Sequence, residues 1–352
     1  ICMAEKRSWN KSLDVIKTVA IITVLMTHVS AALVILFPVS SPEFIWGNIV
    51  DSISRIGVPL FIMVSGALFL DEDKPFNTKE FFKKHLLKMV VLLVVWSFIY
   101  GVFYHIVYGV GIFDYIFNFA GTLCPHIWYM YMIIGLYLIT PVLRLFVKRE
   151  NSKYILYFII LSVCANYVPA FMGLFQNIFG FKVATYTSRL YLNFASGYTV
   201  YFLLGWYLTN VGVKLKTKRN FVIVGGLSLL LMIVLTQVFE SSIPESYNYT
   251  YDNLSVLPFL YSLGSFLLLY RKENSKKDGK VFHFISKYTF GIYMTHIMFM
   301  EIFMVYILPY SSSSFMTPLW YMGLLFVVIG ALSMGLSYLI GKIPYLKKLL
   351  YL

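Results

Sequence analysis

The stretch SLDVIKTVAIITVLMTHVS, residues 12–30, is apolar enough to cross a membrane, yet it contains Asp14, Lys17 and His28. A spanning helix needs about 20 mainly apolar residues. Lys17 and His28 are separated by about three full helical turns of 3.6 residues, and Asp14 lies about one turn before Lys17. The three side chains therefore share one face of the helix. Because a charge at the bilayer centre costs about 3 kcal/mol or more, this face is predicted to line the interior of a helix bundle or a wet cavity.

The rest of the chain has the composition of a polytopic membrane protein. Of its 352 residues, 59% are hydrophobic and 13% are charged, whereas a soluble domain has about 25% charged residues. The predicted fold is an all-α membrane helix bundle that forms a single integral-membrane domain over residues 1–352. Ten stretches are predicted to span the lipid bilayer: 12–37, 47–70, 86–108, 126–146, 154–172, 190–211, 219–239, 255–271, 283–308 and 318–341.

The net charge of +13 is explained by membrane topology, so no nucleic-acid partner is expected. Of the 29 Lys and Arg residues, 25 fall on one side, in alternate connections or at the adjoining ends of the spans, two fall in the other connections and two lie deeper inside spans. The side with the excess of Lys and Arg is the cytoplasmic side. With an even number of spans, both termini are predicted to be cytoplasmic. The three Cys, at positions 2, 124 and 164, have no disulfide or metal-site spacing, and no metal is expected.

Each polar residue of the first span also has a structural explanation. Asp14 and Lys17 could form an ion pair at the membrane interface, and Lys17 could extend its amine toward the inner surface. His28 could hydrogen-bond a neighbouring helix. The shared face favours a functional role over these three separate explanations.

Further ionisable residues lie in or next to other spans. Arg55, in the outer half of the second span, either pairs with Asp51 or faces the same cavity near the depth of His28. His85 and Lys88, at the inner end of the third span, either mark the cytoplasmic side or bind phosphate.

Two more spans carry histidines. His126 and Trp128 begin the fourth span and are interpreted as part of an interfacial aromatic belt. His296 and Glu301 lie at depth in the ninth span, on different faces, and need not form one site.

Five segments, in order, resemble the acyltransferase family 3, which consists of ten-helix membrane enzymes that O-acylate cell-surface sugars. Lys17, ten residues and His28 match the family's first-helix motif, although the family usually has Arg in place of Lys17. The second-helix motif resembles SRIGVPLFIMVSG, which contains Arg55. His85-x-x-Lys88 is a weaker match to an Arg-x-x-Arg motif. The segments HIWYMYMIIGLYLITP and FGIYMTH resemble two later motifs.

The resemblance implies an acyl-CoA-dependent O-acyltransferase in a bacterial plasma membrane. Acetyl-CoA or another acyl-CoA would enter from the cytoplasm as acyl donor. Lys17, His85 and Lys88 would bind its phosphates, and Asp14 would hold Lys17 in place.

The resemblance also implies where the chemistry takes place. His28 would act as general base or as acyl carrier, because imidazole suits proton transfer near neutral pH. Arg55 would stabilise charge at the acyl carbonyl or bind the acceptor. The acceptor hydroxyl, from a glycan or an amino acid, would come from the outer face.

Two other functions are compatible with the same residues. Membrane-bound serine racemases of vancomycin resistance join a similar membrane domain to a cytoplasmic racemase, so a fused or separate partner domain would fit here, with an amino acid such as serine as ligand. A small-molecule transporter also places polar residues inside a bundle, but the absence of a visible sequence repeat favours an enzyme.

The predicted topology is tested with reporters fused to each end of the chain. Both reporters are expected to give the signal of a cytoplasmic position, because the excess of Lys and Arg identifies the side that carries both termini as the cytoplasmic side. An extracytoplasmic signal from the C-terminal reporter would contradict an even number of spans.

Overall fold

The computed structural model describes residues 11–113, 126–179, 192, 195–241, 247–271, 279–310, 316–344 and 346–349. Cys2 and Cys124 lie outside these residues. The described residues form helices and their connections, with no strand among them. The all-α prediction is confirmed.

Eleven helical segments of the described chain organise the site. They are α1 Lys11–Leu36, α2 Pro42–Ser54, α3 Gly57–Phe69, α4 Thr78–Tyr108, α5 Trp128–Phe146, α6 Ser152–Phe179, α7 Thr199–Trp206, α8 Leu215–Glu240, α9 Val256–Leu269, α10 Lys280–Ile307 and α11 Pro318–Lys342.

Eight helices in the described part of the chain, counting α2 and α3 together, are long and apolar enough to cross a membrane. Two shorter apolar helices, α7 and α9, lie at the positions of the two remaining predicted spans. The chain is therefore a multi-pass membrane protein, while the count of ten spans stays a prediction.

The second predicted span is not one continuous helix. The turn at Arg55 and Ile56 separates α2 from α3. A serine side chain begins α2, because Ser41 Oγ accepts a hydrogen bond from the amide of Phe44 at 3.1 Å. The break places Arg55 between two helix ends rather than on a helix flank.

α1 is the central helix of the bundle. It contacts α2, α3, α10 and α11, and Ile16, Ala20 and Ile21 are fully buried among them. Contacts on several sides explain why α1 is apolar nearly all round, as expected for a helix in the interior of a bundle. The polar residues of α1 consequently face protein rather than lipid.

α3 and α7 approach closely enough that their glycines are required. A Cβ atom on Gly66 would overlap the carbonyl oxygen of Phe202, and one on Gly205 would overlap that of Met63. Small residues at crossing points allow such close backbone approach in membrane bundles. The crossing holds α3, which forms one wall of the site described below.

The loop after α3 is fixed by a guanidinium group. Arg144 of α5 donates to the carbonyl oxygens of Phe69, Asp71 and Lys74 at 2.8, 2.7 and 2.8 Å. The Phe69 carbonyl belongs to the last turn of α3, where carbonyl groups lack partners within the helix, and the carbonyl groups of Asp71 and Lys74 lie in the loop itself.

A second arginine, Arg149, binds acidic side chains of the same loop. Arg149 Nη1 donates to Asp73 Oδ1 at 2.9 Å, and its Nε lies 3.2 Å from Glu72 Oε1. The hydrogen bonds from Arg149 hold the pKa of the Asp73 carboxyl below its usual range. The loop therefore has a fixed position between α3 and α4.

The helix crossing is tested by Gly66→Ala, with Gly135→Ala on α5 as the matched control. Gly66→Ala is expected to lower the free energy of unfolding by about 1–3 kcal/mol, because the added methyl group overpacks the crossing. The unfolding temperature measured in detergent should fall accordingly. A Cβ on Gly135 meets no atom within 4 Å, so the control should be neutral or slightly stabilising. Equal unfolding temperatures would contradict the close crossing.

Candidate functional site

A cavity of about 470 Å³ lies among α1, α3, α4, α5 and α10. One end is polar and the other is mainly apolar and aromatic. The polar end is lined by Asp14, Lys17, His85, His283, Ser286 and Lys287. The other end is lined by residues that include Val24, Val58, Phe61, Tyr129 and Tyr293. Because Asp14 and Lys17 precede Val24 on α1, the polar end lies toward the N-terminal end of that helix.

Asp14 joins α1 to α10. Its Oδ1 accepts a hydrogen bond from Ser286 Oγ at 2.7 Å, and its Oδ2 lies 2.9 Å from His283 Nδ1. Among the described residues, Asp14 forms an ion pair with His283 of α10, and its carboxylate is also close enough for its charge to interact with Lys17. That Asp14 holds Lys17 in place stays a prediction.

Lys17 lines the cavity, and Lys287 of α10 lies at the same polar end. Two ammonium groups around one cavity create a positive potential where the walls exclude water. Lys287 is one of the 25 basic residues that the sequence assigns to the cytoplasmic side, and it also contributes to the cavity wall.

His85 is held by aromatic rings at the cavity wall. Its ring centroid lies 4.9 Å from Phe69, 5.2 Å from Phe81 and 6.4 Å from Tyr137. The π-helical turn Phe82–Leu86 within α4 carries this residue, and such turns often occur at functional sites.

The basic residues around His85 have different surroundings. Lys88 is partly buried about one turn further along α4 and lies outside the cavity lining. Lys84 is exposed and pairs with Glu80. Of the inner cluster predicted from the sequence, His85 is the one that lines the cavity.

A cluster of three histidines lies beyond the aromatic end of the cavity. The ring of His28 lies 5.0 Å from that of His296, which lies 5.3 Å from that of His126. His126 and His296 are only 2% and 1% exposed. The assignment of His126 to an interfacial belt was therefore wrong, because its ring packs in the interior against α10 and Tyr100 of α4.

Tyr293 connects the cavity to this cluster. It lines the cavity, and its ring lies 5.3 Å from His126 and 5.9 Å from His296. Its hydroxyl donates to the carbonyl oxygen of His126. A molecule that filled the cavity would thus end against a side chain that touches two of the histidines.

Arg55 lies beside the histidine cluster and forms the expected pair with Asp51. Its guanidinium also lies over the ring of Tyr251, at 4.3 Å from the centroid. Thr27 Oγ1 and Ser54 Oγ are 2.7 Å apart, which brings the residues adjacent to His28 and Arg55 together. Arg55 Nε is buried and has no hydrogen-bond partner among the described residues. Of the two explanations offered from the sequence, the structure shows the pair with Asp51, and Arg55 is not among the residues that line the cavity.

The structure thus arranges the predicted residues in two groups. Asp14, Lys17 and His85 lie at the polar end of the cavity, and His28 and Arg55 lie beyond its aromatic end. Sequence reasoning did not place six further residues in these groups: His126, His283, Ser286, Lys287, Tyr293 and His296.

A signal for part of this set was present in the sequence. His283, Ser286 and Lys287 are spaced by three and then one residue, which places polar side chains on one face of a helix. His296 belongs to the quoted segment FGIYMTH. The sequence did not show that this helix packs against α1.

Comparison with known protein families gives a match over most of the chain. A family model described as an acyltransferase domain matches residues 10–341, a range that contains both groups of the site. Neither the curated proteins nor the solved structures give a match.

The contact of Asp14 with α10 is tested by Asp14→Asn. Asparagine cannot accept hydrogen bonds at both positions, so the variant is expected to lose about 1 kcal/mol or more of stability and to unfold at a lower temperature in detergent. Glu80→Gln serves as the control, since it removes an exposed ion pair that contributes little. Equal unfolding temperatures for the two variants would contradict a structural role for Asp14.

Proposed function

The chain belongs to the acyltransferase family 3, and from this premise we propose that it moves an acyl group from cytoplasmic acyl-CoA to a hydroxyl group of an extracytoplasmic acceptor. The observation that carries the proposal is one cavity with a cationic end and an aromatic end that contacts a histidine cluster. The proposed setting is a bacterial plasma membrane, with acetyl-CoA as the donor and a cell-surface glycan as the acceptor.

The polar end of the cavity suits the charged part of the donor. Lys17 and Lys287 line this end together with His85, and ammonium groups bind phosphates as point charges. Lys17 is a departure from the arginine usual in the family, and it offers a mobile charge in place of a planar fork. Lys88 lies about one turn from His85 on α4 and adds to the positive potential at the polar end of the cavity.

The other end of the cavity suits the uncharged part of the donor. Val24, Val58 and Phe61 contribute apolar walls, and Tyr129 and Tyr293 close the end. An extended, mainly apolar arm with its thioester leading would therefore point toward the histidine cluster.

The transfer itself is assigned to the residues beyond Tyr293. The acceptor oxygen forms a bond to the acyl carbon, the bond from that carbon to sulfur breaks, and the hydroxyl proton ends on the departing sulfur. His28 meets the acyl group at this point, as general base or as acyl carrier. Arg55 lies close enough for its charge to interact with His28, and the guanidinium would stabilise the negative charge that develops on the acyl oxygen.

The proposal is tested with purified protein in liposomes that receive labelled acetyl-CoA. His28→Ala is expected to lower CoA release by about 10²–10⁴-fold, the usual contribution of a proton-transfer residue. Lys17→Ala is expected to raise KM for acetyl-CoA by about 10-fold, the effect of losing about 1.4 kcal/mol of binding. Lys84→Ala is the matched lysine control, since that side chain is exposed and outside the cavity lining.

The same preparation separates the competing functions. Label retained on the protein would indicate an acyl-histidine intermediate, and its absence during turnover would indicate direct transfer. Uptake of a solute such as serine without acyl-CoA, together with no release of CoA, would instead support a transporter. Failure to bind or cleave any acyl-CoA would overturn the proposed function.

A further inference from the structure

His296 is a buried histidine whose protonation is fixed by the backbone. Its Nδ1 lies 2.7 Å from the carbonyl oxygen of Tyr293. A carbonyl oxygen can only accept a hydrogen bond, so Nδ1 carries the proton of the neutral ring. Nε2 consequently presents a lone pair, which is the form a base requires.

The second ring nitrogen of His296 makes no hydrogen bond within the described part of the chain. His296 Nε2 is buried and has no hydrogen-bond partner among the described residues. Buried polar atoms are nearly always paired, and leaving one unpaired costs stability. An unpaired acceptor fixed beside His28 therefore indicates a bound group that donates a hydrogen bond.

The surroundings of His28 contrast with those of His296. The two rings lie 5.0 Å apart, but no hydrogen bond to a described residue fixes the ring of His28. A base whose second nitrogen is oriented by a third group is the usual arrangement for proton transfer. In this pair, the oriented histidine is His296.

We propose that His296 is the general base that takes the proton of the acceptor hydroxyl on Nε2, an inference that rests on the proposed function. As the hydroxyl oxygen bonds to the acyl carbon, its proton passes to Nε2. The bond from that carbon to the leaving atom breaks. The proton then moves from Nε2 to that atom, which is the CoA sulfur in direct transfer or the His28 nitrogen if His28 carries the acyl group. The ring of His296 returns to its neutral form with Nδ1 still bonded to Tyr293.

This assignment gives the two histidines different roles. His296, in place of His28, is the base that deprotonates the acceptor, and His28 contacts the acyl group. Tyr293 connects the two parts of the site, because it lines the donor cavity and its carbonyl orients the base. In the segment FGIYMTH, Tyr293 therefore orients the base and His296 is the base.

The decisive variant is His296→Asn. The asparagine amide nitrogen can take the place of Nδ1 and keep the hydrogen bond to Tyr293, while no atom replaces Nε2. His296→Gln removes the same base with a different side-chain geometry. The matched control is His105→Asn, because His105 Nδ1 also contacts a backbone carbonyl, that of Val110 at 3.0 Å, but its side chain is exposed at the end of α4.

The reaction is followed as CoA release from acetyl-CoA in proteoliposomes, with two acceptor probes. Water needs deprotonation as it attacks, whereas hydroxylamine attacks readily without a base. His296→Asn is expected to lower kcat for hydrolysis by about 100-fold or more, to lower kcat with hydroxylamine by less than about 10-fold, and to change KM for acetyl-CoA by less than about 3-fold. His105→Asn should match the wild-type protein with both probes.

Three outcomes would overturn the inference. Equal losses with both probes would show that His296 does not act as a base, and an effect on KM alone would place it in donor binding. Loss of folding in both His296 variants, with His105→Asn intact, would assign His296 to packing. No CoA release by the wild-type protein with either probe would instead be a failure of the proposed function itself.

Discussion

The contact between α1 and α10 determines the positions of nearly all residues in the site. At one end, the Asp14 carboxylate accepts a hydrogen bond from Ser286 and contacts His283. At the other end, the rings of His28 and His296 touch. Polar groups in a membrane bundle need partners on neighbouring helices, since lipid offers none. The two polar ends therefore fix the register of the helices and leave the cavity between them.

The cavity separates two kinds of chemistry along one path. Its polar end concentrates positive charge from Lys17 and Lys287, and its aromatic end brings apolar walls to the histidine cluster. The axial distance from Lys17 to His28 is about 16 Å at a rise of about 1.5 Å per residue, which covers about half of the hydrocarbon core. Charge attraction at one end and proton transfer at the other can thus act on a single extended donor.

The frame around this path explains why the site keeps its shape. The glycines at the crossing of α3 and α7 bring the two backbones together without side chains between them. Arg144 fixes the loop that follows α3, and Phe69 at the end of α3 packs on His85. A rigid shell of this kind keeps catalytic side chains near their productive geometry.

The sequence by itself determined the fold class and the presence of Asp14, Lys17 and His28 on one helix face, because hydrophobicity and the 3.6-residue period are local properties. The family was identified from the resemblance of five segments. The sequence also placed Arg55 beside Asp51, four residues apart. It did not determine which helix meets that face, so His283 and Ser286 were not identified as partners of Asp14. His126 was placed at the interface for the same reason, although it lies in the interior against α10. Only the tertiary structure decided these points, because a histidine pair such as His28 and His296 joins residues far apart in the chain, and their contact depends on helix packing that no local pattern specifies.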